Sequence, residues 1–138
     1  MWPFSRQKQT YDKPTPTIKV GETLIKWDKR VDWWGFVIDG AYYSQMDNPV
    51  FDPQIINELP KVRQWIKDLD AEIDNEIAKQ LDRWCEWDGT KELFSIDVSW
   101  LLEKDQVDVS YAGNENWGDL RVYVVITGGK IDQVYSGD

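Results

Sequence analysis

The residues that come nearest to forming a chemical site are five carboxylates, Asp68, Asp70, Glu72, Asp74 and Glu76, which alternate with other residues in the manner of a calcium loop. Counted from Asp68, the sixth position is Ile73, where the sharp turn of such a loop demands glycine, so calcium fails on geometry. On a helix, Asp68, Glu72 and Glu76 instead form one solvent-facing row. Like charges four apart cost a few tenths of a kcal/mol, a cost that a basic partner would offset and that a solvated face also tolerates. The chain has no histidine, which removes the usual general base and every Ser-His-Asp or Cys-His nucleophile. One cysteine, Cys85, cannot assemble a zinc site without imidazoles. Gly113, Gly118, Gly128 and Gly129 do not form a phosphate-binding fingerprint. Two of the twenty-five acids could in principle hydrolyse a glycosidic bond beside exposed tryptophans, but nothing in the sequence selects the pair. The expectation is a non-catalytic protein with no cofactor and no metal.

Nine tryptophans are the other unusual feature. Trp65, Trp84 and Trp100 fall on patterned faces that core packing explains, whereas Trp33, Trp87 and Trp117 are harder to bury. Trp117 sits in the polar run Gly-Asn-Glu-Asn-Trp-Gly-Asp, where an aromatic is either a lid over the sheet edge or a contact for a partner, flanked by Glu115 and Asp119. The candidate partner-binding residues are therefore Asp68, Glu72, Glu76, Glu115, Trp117 and Asp119.

Charge narrows the partner. The formal net charge is -9, and it is uneven: residues 1–30 hold seven Lys/Arg against three Asp/Glu, or +4, and the rest holds nine against twenty-two, or -13. Such a body repels nucleic acid and would attract a basic protein. No apolar run is long enough to cross a bilayer, and the first residues lack the apolar stretch of a signal peptide. With a single cysteine, a reducing, cytosolic setting is expected. Oligomeric state is left open.

The elements that must hold these residues are legible in outline. Residues 1–17, basic and containing Pro3, Pro14 and Pro16, read as an arm, and residues 18–138 read as one domain. Strand signals run from Thr23 to Met46, with Asp39-Gly40 as a type I′ hairpin turn. Alternation puts Trp34, Phe36 and Ile38 on one face and Trp33 and Val37 on the other. From Asp52 to Trp87 the apolar spacing is helical, with Asp52-Pro53 as a start signal and a break or kink expected at Pro60. A second break near Asp68–Asp70 would make two helices. Strands return over 94–102, 107–111, 120–127 and 130–135, the last two joined by Gly128-Gly129. The fold class is α+β: an antiparallel sheet of about five to seven strands, with one long kinked helix or two helices packed on one face.

The Trp33-Trp34-Gly35 hairpin, the helical middle ending at Trp84, and the terminal Asn116-Trp117-Gly118-Asp119-Leu120-Arg121-Val122 with Gly128-Gly129-Lys130-Ile131 together resemble a group of small uncharacterised bacterial domains. Some members of that group lie near toxin and immunity genes, so the resemblance implies an immunity-type inhibitor that occludes a basic partner. Where the group carries histidine after its aromatic-Gly pair, Asp119 stands here. The alternative function class is a small-molecule or carbohydrate-binding domain that stacks its ligand on exposed tryptophans, with hydrolysis by carboxylates as an extension.

Overall fold

In a computed structural model, residues 17–46 and 48–137 are described. Two tight turns set the sheet. Asp39 and Gly40 take φ of 51° and 82°, and Gly128 and Gly129 take 59° and 82°, the left-handed pairs that a two-residue hairpin turn requires. They place Ile38 opposite Ala41 and Thr127 opposite Lys130.

Eight strands form one sheet in sequence order: β1 (Thr17–Val20), β2 (Thr23–Asp28), β3 (Trp33–Ile38), β4 (Ala41–Gln45), β5 (Glu92–Asp97), β6 (Gln106–Ala112), β7 (Arg121–Thr127) and β8 (Lys130–Gly137). Two differences from the sequence reading stand out. The sheet has one strand more than expected, because Thr17, the last residue of the expected arm, opens β1 against β2; residues 1–16 of that arm lie outside the described residues. The sheet is also mixed, since β4 and β5 pair in parallel while every other neighbour is antiparallel. The cause is the connection. The chain leaves β4, passes through α1 (Gln54–Asp68) and α2 (Asp70–Leu81), and returns along the same direction, as a helical crossover does.

Both helices cover one face. Ile55, Leu59 and Val62 of α1 and Ile73, Ile77 and Leu81 of α2 pack with Ile25, Trp34, Phe36, Ile96, Val109, Val124 and Ile126 of the sheet. Helix α1 runs unbroken through Pro60, whose ring faces solvent between buried Leu59 and Val62, so one missing hydrogen bond is outweighed by the packing on either side. The break comes at Leu69, with φ -93° and ψ 5°, although its carbonyl still accepts from Ile73 at 2.8 Å. The Asp52 carboxylate accepts from the Gln54 amide at 2.9 Å and starts α1 as the sequence signal suggests.

Two tryptophans assigned to the core are on the surface. Helix α2 stops at Leu81, three residues short of the apolar spacing, and Trp84 is 67% exposed. Strand β5 stops at Asp97, because the Asp97 Oδ1 accepts from the Ser99 amide at 2.9 Å and from the Ser99 hydroxyl at 2.5 Å. That local turn starts a short helix, α3 (Leu101–Lys104), so Leu101 enters the core while Trp100 and Leu102 face outward.

Candidate binding site

Among the described residues no helix covers the other face of the sheet, and this helix-free face carries the most chemistry. Cross-strand register aligns Gly35, Ser44, Asp97, Asp108, Val125 and Gln133 in one row over β3 to β8. A second row runs through Ser95, Ser110, Tyr123 and Tyr135. Above them lies an open trough of about 820 Å³, within the range of ligand sites, walled by the rings of Trp33, Tyr42, Phe94, Tyr123 and Tyr135 and floored by Ser44, Ser95, Asp97, Asp108 and Ser110.

Each wall is positioned by a specific device. Tyr42 is paired with Val37, yet its hydroxyl accepts from the Trp33 indole N–H at 2.9 Å, so its side chain runs back along the sheet across Gly35. A β-carbon on Gly35 would overlap the Tyr42 hydroxyl, and this explains the glycine in mid-strand. On the opposite side, the β5–β6 register shifts between Leu93 and Ser95. Strict alternation with Ile96 would bury Phe94; the bulge turns it outward, 53% exposed, with the Arg121 guanidinium 4.7 Å over its ring. Tyr123 and Tyr135 stack with centroids 4.8 Å apart.

The floor is polar and strained in charge. The Ser95 and Ser110 hydroxyls bond to each other at 2.7 Å. Asp97 and Asp108 are direct cross-strand neighbours on one face, an arrangement that costs energy when both are ionised. The Asp108 Oδ2 accepts from the Tyr135 hydroxyl at 2.5 Å, while its Oδ1 is buried without a hydrogen-bond partner among the described residues. Burial, and secondarily the nearby Asp97, raise the Asp108 pKa above its ordinary 3.8, against the lowering effect of Tyr135. Burial and the same carboxylate push the Tyr135 hydroxyl well above its ordinary range, so it stays a donor.

A stability prediction follows from that sign. A carboxyl whose pKa is raised by folding favours the fold most below its unfolded pKa, and that contribution is lost as pH rises through the folded value. Asp108→Asn removes the titration while keeping an oxygen for Tyr135. Asparagine still leaves a polar atom without a partner where Oδ1 lay, so the gain is confined to removing a desolvated charge that faces Asp97, worth up to about 1 kcal/mol. We expect Asp108→Asn to melt higher at pH 7 by up to about 4 °C. The gain should vanish near pH 3, below the unfolded pKa. Thermal melts at the two pH values test it; an equal gain at both would refute the assignment.

The residues singled out in the sequence lie elsewhere. Asp68 is on α1, where it accepts from the Gln64 amide at 2.7 Å, and the break at Leu69 interrupts its row with Glu72 and Glu76. Glu76 is paired with Lys79 at 3.0 Å, and Lys91 binds Asp70 and Asp74 at 2.8 and 2.6 Å. Trp117 is 4% exposed: it lies over Gly113 in a 3-10 turn, Glu115–Trp117, and offers a partner little surface. Glu115 and Asp119 are exposed beside it. None of these six residues lines the trough. The trough residues come from several strands far apart in sequence; the available signals are strand alternation, which sets Asp97 opposite Ile96, and the difficulty of burying Trp33. Among the described residues, no three His, Cys, Asp or Glu side chains gather as a metal-ligand set, and no helix is long and apolar enough to cross a membrane.

Comparison of the chain with protein-family models, curated proteins and solved structures finds no match.

Proposed function

We propose that this protein is a ligand-binding domain whose working surface is the trough on the helix-free face. The observation that carries the reading is the convergence of five aromatic rings and two neighbouring carboxylates on one recess of about 820 Å³, one of those carboxylates kept in a partly desolvated position. Aromatic walls with a few fixed polar groups suit a compact ligand that stacks and hydrogen-bonds, and holding Asp108 there at a cost in stability is what a binding site does and a scaffold need not. This supports the small-molecule or carbohydrate class. The inhibitor reading, in which the acidic helical face occludes a basic protein, rests mainly on Asp68 and Glu72, because Asp70, Asp74 and Glu76 are already paired with lysines.

The test uses Gly35→Ala, which displaces Tyr42 and breaks its bond to Trp33 at a cost of about 1 kcal/mol, small enough to leave the domain folded. Compounds from a library of sugars, nucleosides and amines that raise the melting temperature are to be mapped by amide shift perturbation. A ligand centred on the trough and weakened about tenfold by Gly35→Ala supports the reading. A ligand that Gly35→Ala leaves untouched, or one that maps to α1 and α2, refutes it.

A further inference from the structure

The trough has a charge that a neutral ligand would leave uncompensated. Among the described residues its lining includes one cation, Arg30, and that guanidinium is already committed: its Nε and Nη2 donate to the two oxygens of Asp28 at 3.1 and 2.8 Å; the Arg121 guanidinium stands outside the lining, on the Phe94 ring. Asp97 and Asp108 remain side by side on the floor with no other basic group of the trough to balance them. Ser99 saturates only the Oδ1 of Asp97, and the Oδ2 has no hydrogen bond among the described residues. Around this negative floor stand the electron-rich side chains of Trp33, Tyr42 and Tyr135, and a ring face attracts a cation and repels an anion.

Resting on the trough as the binding site, we infer that its ligand is a small organic cation, an alkylammonium or guanidinium, with its charge against Asp97 and its apolar stem along the Trp33 and Tyr135 walls. The cation screens the two carboxylates from each other and takes the place of the solvent that Asp108 has lost. A sugar could stack on the same rings, but it would leave the two carboxylates facing each other uncompensated. The ring faces and the acid pair therefore select for the same ligand property by two independent means.

The experiment is an NMR titration of the full chain, reading the Trp33 indole N–H, with n-butylguanidinium, its neutral isostere n-butylurea, and methyl glucoside. The expected result is a saturable shift with butylguanidinium, at least tenfold tighter than with butylurea, and at least tenfold weaker in Asp97→Asn. That substitution keeps a side-chain oxygen to accept from Ser99, so the turn into α3 is retained; should the variant unfold, Asp108→Asn replaces it and is expected to weaken the cation in the same direction. Equal binding of butylurea, saturation by the glucoside alone, or no response to any probe overturns the cation. Glucoside saturation would do so while leaving the trough standing as a site. Butylguanidinium shifts confined to α1 and α2 overturn both.

Discussion

Gly113→Ala is expected to cost about 3 kcal/mol and to lower the melting temperature by roughly 10 °C. A β-carbon at Gly113 would overlap the pyrrole ring of Trp117 at its fused bond and nitrogen, which is not the tip of a flexible chain but a buried indole. The ring must therefore leave its place, and the apolar surface it covers on the sheet goes with it. Asn114 holds the same loop, accepting from the Asn116 amide at 3.0 Å and donating to Asp88 at 2.9 Å, so the backbone cannot slide to make room. Thermal denaturation measures the loss, and a displaced Trp117 indole N–H resonance in the folded variant would show the indole expelled. A melting temperature within about 2 °C of the parent would mean that the loop yields and that Trp117 is not a fixed lid.

Trp34→Ala should be more damaging still, at about 3–5 kcal/mol, a large part of the roughly 5–15 kcal/mol that holds an ordinary domain together. Trp34 is 1% exposed and meets Trp27 edge-to-face at 5.3 Å and Phe51 at 6.4 Å, with its indole N–H donating to the Pro49 carbonyl at 3.3 Å. Truncation leaves a cavity between β3 and the segment before α1. Chemical denaturation gives the value directly. Its neighbour supplies the control: Trp33→Ala, on the open face and only half-buried, should cost less than half as much. Comparable costs for the two would contradict the assignment of faces.

That assignment was readable from the alternating pattern of 33–38, as were both glycine-containing hairpins and the helical stretch, because each depends on neighbours within a few residues. The spacing also allows the break at Leu69, as one of two options. What local pattern could not reveal was decided by contacts across the chain. The helix tolerates Pro60 because tertiary burial of Leu59 and Val62 overrides it. Strand β5 ends early because one carboxylate, Asp97, captures Ser99, a side-chain bond that alternation does not register. The parallel joint depends on where two helices return the chain, and the trough depends on that joint, since Tyr42 and Asp97 are brought onto one surface only by pairing β4 with β5.

That joint also shapes how the molecule comes together. Strands β1 to β4 and β5 to β8 are two meanders, each zipped by turns between adjacent strands, so each can form from nearby contacts. The seam between them must close a loop of roughly fifty residues, and its ladder has the pairs Tyr43 with Ile96 and Ser44 with Asp97, extended by the Val98 amide on the Ser44 carbonyl and the Met46 amide on the Ser99 hydroxyl. Contact order therefore favours formation of each half before the seam between them closes. Trp33 and Tyr42 belong to one half, and Asp97, Asp108 and Tyr135 to the other. A molecule lodged in the trough would span the seam, so its occupancy would act as a clasp on the shortest ladder of the sheet, and amide exchange along β4 and β5 should slow first when it binds.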